Sequence, residues 1–249
     1  MEHWLSRSEL LVGKSGLEQL SKSTVLVAGL GGVGSYAAEM LARSGIGHLI
    51  VIDNDVVGFT NRNRQLPALT GTEGMLKTRV MEDRIRQINP DIILETVSEY
   101  LDESSVPVLL DQYSPQYVVD AIDTLSPKIA LICYWLGRKI PLVSAMGAGA
   151  RFDATAVRID DISKSYNCPL AFMLRKRLRK LGVVKGFKVV FSTELPREGA
   201  IVPFEGKNKK SMTGTISYLP AVFGCLCAQT VICDILEIRT FERFIKGKS

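Results

Sequence analysis

The sequence predicts an α/β fold: a doubly wound, mainly parallel sheet, with an additional strand and helix region toward the C-terminus. Three observations predict it. An apolar run, Thr24-Val25-Leu26-Val27-Ala28, feeds directly into a glycine-rich turn, Gly29-Leu30-Gly31-Gly32-Val33-Gly34. A second apolar run at 48–52 ends in Asp53. Further short apolar runs at 92–97, 117–122, 141–144 and 187–191 alternate with stretches of helical periodicity, which is the pattern of repeated βαβ units. Together the first two runs make a Rossmann-like strand, glycine turn, helix and strand. Glycines let a backbone approach a phosphate closely, and the helix N-terminus beyond them offers free N–H groups at the positive end of its dipole. Asp53 follows the glycines by about 20 residues, where a carboxylate accepts from ribose hydroxyls. Gly29, Gly31, Gly32, Gly34 and Asp53 are therefore the first candidate nucleotide-binding residues.

Bulk properties bound the rest. The chain has 249 residues, 46% hydrophobic and 23% charged, ordinary for a globular protein. No low-complexity linker or internal repeat divides it. Residues 1–249 are expected to form one domain: an N-terminal helical arm (1–23), a nucleotide-binding half (24–150) and a second half (151–249). A net charge of +5 permits an anionic partner without demanding one. The five cysteines, Cys133, Cys168, Cys225, Cys227 and Cys233, contain no C-x-x-C pair, so no zinc-ribbon framework is visible. Their odd number and apolar settings point to reduced thiols and a cytoplasmic protein. Met1-Glu2-His3-Trp4 does not open an apolar signal region. Residues 219–236 are rich in apolar side chains, but Gln229 and Asp234 interrupt them. They read as a buried helix, and no membrane insertion is expected.

Residues 5–20 read as a helical arm broken at Gly13, with Arg7 and Lys14 as its cations. After the glycine turn, Tyr36, Ala37, Met40, Leu41 and Ser44 recur at helical spacing, and Gly45 and Gly47 end that helix. The second strand delivers Asp53 and Asp55 to its C-terminal tip, the edge where open parallel sheets bind ligands. The loop at 56–69 is dense in polar groups: Thr60, Asn61, Arg62, Asn63, Arg64 and Gln65. Arg64 has the geometry to bind phosphate oxygens bidentately. A helix at 75–89 carries Met81, Ile85 and Ile88 on one face. Lys77 lies in its first turn, where a cation opposes the helix dipole, a small penalty that an anion bound nearby would offset. The strand at 117–122 ends in Asp120-Ala121-Ile122-Asp123. Asp123 reads either as a Mg²⁺ ligand beside phosphates or as a loop acid capping the next helix, for which Ser126-Pro127 supply a cap and first position. A buried helix follows at 129–138. After the next strand, Ala145-Met146-Gly147-Ala148-Gly149-Ala150 leaves room against the backbone. Residues 170–181 form an amphipathic helix with Arg175, Lys176, Arg177, Arg179 and Lys180 on its polar side. It is either a solvated face or a polyanion site. Residues 198–212, with Gly206, Lys207, Asn208, Lys209 and Lys210, read as a mobile positive loop before the last helix.

The combination G-x-G-G-x-G, then Asp53 and Asp55, then Asn61-x-x-Arg64-Gln65, with Lys77 12 residues further on and Asp123 closing a strand, resembles the ubiquitin-activating-enzyme-like (ThiF/MoeB-type) superfamily of adenylating enzymes. The match runs over residues 5–143 and returns at 214–224. Within the superfamily the chain is most similar to the tRNA threonylcarbamoyladenosine dehydratases. The similarity is carried by Gly45-Ile46-Gly47, Arg84-Ile85-Arg86-Gln87-Ile88-Asn89-Pro90, Asp120-Ala121-Ile122-Asp123 and Phe191-Ser192-Thr193-Glu194.

The resemblance implies ATP as ligand, with Mg²⁺ and a monovalent cation as further ions. It implies Asp53 on the ribose, Arg64 and Lys77 on the phosphates, Asn61 and Gln65 lining the triphosphate, and Asp123 on Mg²⁺. It also implies a homodimer in which Arg7 reaches the partner's phosphates, tRNA as substrate, and a sulfur-transfer protein as a further candidate partner. Residues 151–249 then carry substrate and dimer contacts. The implied reaction is ATP-dependent cyclisation of N6-threonylcarbamoyladenosine through adenylation of its carboxylate; the alternative is activation of the C-terminus of a ubiquitin-like sulfur carrier. An NAD-dependent oxidoreductase and a non-catalytic scaffold are the other rivals. The 61–65 loop and Lys77 argue against the first, and intact Arg7, Arg64, Lys77 and Asp123 against the second. Cys168 is placed where relatives use an acceptor cysteine, but ring closure needs no thioester, so it reads as structural. Cys225, Cys227 and Cys233 read as core residues.

Overall fold

The computed structural model describes residues 3–203 and 211–238. In chain order the elements are α1 (Ser6–Ser21), β1 (Thr24–Ala28), α2 (Gly34–Arg43), β2 (His48–Ile52), α3 (Lys77–Ile88), β3 (Ile93–Val97), α4 (Ser105–Leu110), β4 (Tyr117–Asp120), α5 (Leu125–Gly137), β5 (Leu142–Ala145), β6 (Val157–Asp161), α6 (Pro169–Lys180), β7 (Lys188–Ser192), β8 (Ile201–Pro203), β9 (Ser211–Thr213) and α7 (Tyr218–Ile235). Seven strands form one sheet in the order β3-β2-β1-β4-β5-β7-β6. All neighbours are parallel except β6, which runs antiparallel on β7 at the edge. The chain reverses direction across the sheet between β1 and β4, so the C-terminal tips of β1, β2 and β4 flank the crevice where such sheets bind ligands.

Both faces of the sheet are covered, which is why β1 and β2 are apolar runs rather than alternating ones. Val25, Val27, Leu49 and Val51 face α2, α3 and α7, among Ala37, Leu41, Met81, Phe223 and Val231. Leu26, Ala28, Ile50 and Ile52 face α4, α5 and α6, among Leu110, Leu131, Trp135, Leu174 and Leu178. By length and composition α7 is apolar enough to cross a membrane, but Leu219, Phe223, Cys227 and Val231 are fully buried against α2 and the sheet. A Cβ on Gly224 would lie 2.3 Å from the Val33 carbonyl oxygen and 2.7 Å from Tyr36 Cβ, so glycine is what lets α7 lie this close to α2.

Several expectations are corrected. The strand β6 and the short helix α4 are not foreseen from the sequence. Val157-Arg158-Ile159-Asp160-Asp161 carries too many charges to announce a strand, yet charge is common on sheet edges, where it blocks further pairing. The expected loop at 198–212 contains the hairpin strands β8 and β9; Gly206, Lys207, Asn208, Lys209 and Lys210 lie outside the described residues. α5 begins four residues before the expected 129, with Thr124 at its N-cap position and no side-chain capping bond. Ser126 and Pro127 sit inside its first turn, where a missing N–H costs nothing. Cys225 is exposed, whereas Cys227 is buried and Cys233 partly so. The break at Gly13 is present, with φ 73°.

Beneath the tips of β4 and β5 lies a polar network that no sequence pattern announces. Asp120 and Lys128 are both 0% exposed and their charges meet at 2.8 Å. The Lys128 ammonium also donates to the Ile122 carbonyl at 2.8 Å. Asp120 accepts the Ser144 hydroxyl at 2.6 Å and the Ile122 N–H at 3.2 Å. Both charges are thereby paired and further hydrogen-bonded, which is the condition for burying them. Lys128→Met leaves Asp120 buried without its cation. Urea unfolding should register a loss of about 3–5 kcal/mol; a loss under about 1 kcal/mol would show that water or another cation replaces it.

Candidate active site

The glycine turn closes on itself and on the β4–α5 loop. Gly29 has φ 91°, and a Cβ there would lie 2.9 Å from the Ala121 carbonyl oxygen. A Cβ on Gly34 would fall 1.7 Å from the Gly29 carbonyl oxygen. These two positions exclude any side chain, so α2 starts against the end of β1 with its N-terminus at the crevice. Above Gly31 the nearest atom to an added Cβ is Gln65 Nε2, at 3.8 Å, which leaves a cradle over the turn. The other side-chain atom of that amide, Gln65 Oε1, is buried without a hydrogen-bond partner. An orphaned buried acceptor costs on the order of 1–3 kcal/mol, and a ligand donor in the cradle would satisfy it.

Asp53 is placed by the end of β2. Its Oδ2 accepts the Leu30 N–H at 2.6 Å and its Oδ1 the Asp55 N–H at 2.8 Å. Burial pushes this carboxyl above the usual aspartate range, against the opposing influence of Lys77 and the two N–H donors. Lys77, the first residue of α3, is nearly buried, with its ammonium 2.8 Å from Asp55 Oδ2 and 4.0 Å from Asp53 Oδ1. Its place in the first turn is thus held by two carboxylates, which offset the unfavourable helix dipole.

A short 3₁₀ turn, Phe59–Asn61, brings in the third loop. Asn61 is its organiser: its side-chain oxygen accepts the Gly58 N–H at 3.0 Å, and its carbonyl accepts the Arg64 and Gln65 N–H groups. Arg64 is half-buried and lies across Gly32, its Cγ 3.4 Å from where a Cβ would be. Its guanidinium donates to the Thr60 carbonyl at 3.1 Å and the Asn63 side chain at 2.8 Å. Burial lowers its pKa, and the charge of Asp123 works against that. Arg64 and Asp123 therefore sense each other across the crevice mouth, although they are carried by different loops. The Asn63 amide donates to the Thr215 carbonyl at 2.9 Å, tying this loop to the entry of α7.

The structure thus brings together Gly29, Gly31, Gly32, Gly34, Asp53, Asp55, Asn61, Arg64, Gln65, Lys77 and Asp123. It does not bring Arg7 to them. Leu5 packs at Gly45, past the C-terminal end of α2, and α2 spans roughly 15 Å from the turn. Exposed Arg7, in the first turn of α1, stays at that remote end. The basic helix α6 lies on the α5 side of the sheet. Arg175 is spent within the fold, donating to the Ser165 carbonyl at 2.7 Å and to its hydroxyl. Lys176, Arg177, Arg179 and Lys180 are exposed and form no ion pair among the described residues. Cys168 is buried at the start of α6, as a structural thiol would be. No cluster of three or more potential metal ligands occurs among the described residues. A divalent ion at Asp123 would accordingly need oxygens from a phosphate ligand, the usual way Mg²⁺ is bound. Lys128 was detectable in principle, as a single cation opening an otherwise apolar helix.

The chain is similar to known proteins over its whole length. The ThiF family matches residues 5–246. The tRNA threonylcarbamoyladenosine dehydratase of Bacillus subtilis is 43% identical over 256 aligned positions, covering 100% of both chains. The Escherichia coli enzyme of the same name is 45% identical over 192 positions, 74% of this chain and 71% of that one. A crystal structure of the Escherichia coli tRNA N6-threonylcarbamoyladenosine dehydratase in complex with ATP superposes with a TM-score of 0.86 and 36% identity, over 94% of this chain and 93% of that one. By full-length similarity and by fold, the chain belongs to the ThiF family and, within it, to the tRNA threonylcarbamoyladenosine dehydratases.

Proposed function

We propose that this chain uses ATP to convert N6-threonylcarbamoyladenosine in tRNA to its cyclic form, through adenylation of the threonyl carboxylate. The observation that carries this is the convergence of Asp53, Lys77, Arg64 and Asp123 from separate loops on one glycine cradle, in a chain similar end to end to such dehydratases. Asp53 accepts from the ribose. The cradle of Gly29, Gly31, Gly32 and Gly34 takes the phosphates, and Asn61 and Gln65 line them. Arg64 and Lys77 neutralise phosphate charge, with Asp55 holding Lys77 in place, and Asp123 carries Mg²⁺. Arg7 serves the partner's site in a homodimer, which fits its distance from its own. A monovalent cation and a sulfur-transfer protein complete the set of proposed associates, and the cytoplasm is the proposed location.

The chemistry follows from leaving groups. A carboxylate is a poor electrophile, because its leaving group would be oxide or hydroxide. Attack of a carboxylate oxygen on the α-phosphorus expels pyrophosphate and gives an acyl-adenylate. The carbamoyl group of the same substrate then attacks the acyl carbon, loses its proton and closes the ring as AMP departs with the former carboxylate oxygen. Both steps are accelerated by positioning and by charge neutralisation. Activation of a ubiquitin-like carrier would use the same first step, but it needs an acceptor thiol or carrier tail, and Cys168 is buried. Incubation with ATP, Mg²⁺ and tRNA bearing the open nucleoside, followed by mass spectrometry of the digest, should show loss of one water from the threonylcarbamoyl nucleoside with AMP formed in step. Persistence of the open form would defeat the proposal.

Two variants probe the site. Arg64→Ala should lower kcat/KM by about 10²–10³, with little change in thermal stability. Asp53→Asn separates function from stability. Because burial raises its folded-state pKa, the stabilising preference for the protonated form is complete below the unfolded pKa and is lost as pH rises through the folded one. Ionised Asp53 is therefore a net cost to the empty fold at neutral pH. The Asn variant removes that cost but turns an amide NH2 toward one of the two N–H donors that Asp53 accepts, so the melting temperature at pH 7 should change little while ATP binding weakens by about tenfold or more in calorimetry. The wild type should likewise lose ATP affinity on acidification before an ordinary aspartate would titrate.

For the RNA, charge reversal at Lys176, Arg177, Arg179 and Lys180 should weaken tRNA binding and flatten its salt dependence, by about 0.7–0.9 in log–log slope for each phosphate no longer neutralised. Arg175→Ala should leave that slope unchanged and lower stability instead.

A further inference from the structure

The catalytic edge of the sheet does not stop at Asp123. It continues across the tips of β5 and β7, each about 4.8 Å from its neighbour, and there it changes character. Four exposed aromatic residues lie on the segments that adjoin the small-residue run Met146-Gly147-Ala148-Gly149-Ala150: Phe152 (50% exposed), Tyr166 (53%), Phe172 (57%) and Tyr218 (44%). Each is tied to the run. Phe152 adjoins it in sequence, and the Tyr218 hydroxyl donates to the Phe152 carbonyl at 2.7 Å. Tyr166 rests edge-on against Phe191 near the tip of β7, with ring centroids 5.7 Å apart. Phe172 lies in the first turn of α6, its N–H bonded to the Cys168 carbonyl, and Cys168 Sγ lies against Gly147.

One buried side chain organises these segments. Arg151 is 3% exposed. Its guanidinium donates to four carbonyls and to no carboxylate among the described residues: Gly147 at 2.7 Å, Gly149 at 3.0 Å, Asn167 at 2.7 Å and Glu194 at 2.8 Å. It pins the run, the Tyr166–Cys168 turn and the end of β7 to one another. The Glu194 carboxylate instead accepts the Phe152 and Asp153 N–H groups, at 3.0 and 2.7 Å, and Arg197 lies over the Phe152 ring at 4.8 Å. The rim is thus aromatic, carries both Arg197 and the Glu194 carboxylate, and is followed along α6, one turn and more beyond Phe172, by exposed cations.

Those are the properties of a surface that holds single-stranded nucleic acid: π-faces for bases, cations for the backbone. Double-helical RNA presents no free base faces. A nucleoside that must place its carboxylate at a nucleotide cradle has to leave the stack, which exposes the bases beside it. We propose that the rim around Arg151 is a base-stacking shelf for the RNA nucleotides flanking the reacting one, with Tyr166 and Phe172 as its stacking faces. The tip of β7 lies two strands from that of β4, about 10 Å, or some three stacked nucleotide steps of about 3.4 Å. The inference rests on the proposed tRNA reaction and adds to it which part of the RNA the protein grips.

The test uses the full chain and an RNA stem-loop carrying the open threonylcarbamoyl nucleoside in its loop. Tyr166→Leu and Phe172→Leu should each weaken RNA binding on the order of tenfold, with ATP affinity, melting temperature and the salt slope of binding unchanged. Tyr166→Trp and Phe172→Trp should retain affinity, which a merely structural role would not predict. On a stem-loop made abasic at the flanking position, wild type and Leu variant should bind alike. If both Leu variants and their combination bind RNA within about twofold of wild type while still binding ATP, the shelf is overturned and the reaction stands. If the wild type binds the stem-loop but leaves its nucleoside open in the presence of ATP, the underlying reaction is overturned, and the shelf with it.

Discussion

The Lys128 ammonium lies at the C-terminal tip of β4, shut off from water, and three oxygens depend on it directly or through Asp120. Its bond to the Ile122 carbonyl fixes the path of the β4–α5 loop. That loop is the floor of the glycine turn: the Ala121 carbonyl and Cβ are among the atoms that leave no room for side chains at Gly29 and Gly34. The same loop ends in Asp123, whose charge acts on Arg64. One buried ion pair thus positions both the cradle and the acid at its mouth. Such a pair adds little net stability over apolar residues of similar size, but its geometry tolerates no slack, and a catalytic constellation needs positions that do not drift.

The two sides of the catalytic edge are built by different means. On the nucleotide side, backbone does most of the positioning: glycine turn, helix start, the Asp53 carboxylate on the Leu30 N–H. On the far side, a single guanidinium gathers four carbonyls from three segments. Backbone geometry suits a ligand with one fixed shape, such as a nucleotide. Side-chain clamps suit a rim that differs from one substrate to another, because the rim can change without disturbing the sheet.

Arg175 shows how little a sequence says about which charged groups are spent inside a fold. Five cations in residues 175–180 look alike in sequence, yet Arg175 turns back to Ser165 and the other four face solvent. Which cation turns inward depends on where the 162–165 turn lies, and that turn is fixed by β6, an edge strand too charged to announce itself. Cys225 and Cys227 differ in the same way: two residues apart on one helix, they point to different sides, one exposed and one buried against α2 and the sheet. Arg7 is the reverse case. Its sequence position marks it as a phosphate ligand by resemblance, and only the fold shows that it lies beyond reach of its own cradle.

The sequence by itself determined the mainly parallel sheet, the positions of its early strands along the chain and the nucleotide cradle, because these rest on local rules: apolar runs buried on both faces, glycines where no Cβ fits, and an acid at a strand tip. It also determined that Arg64, Lys77 and Asp123 belong together, through a spacing that resembles known adenylating enzymes. Tertiary structure alone decided the Asp120–Lys128–Ser144 network, the Arg151 clamp with its aromatic rim, and the antiparallel edge strand. These contacts join residues far apart in the chain, and a buried charge is tolerated only where partners from other elements arrive to satisfy it, which no local pattern records.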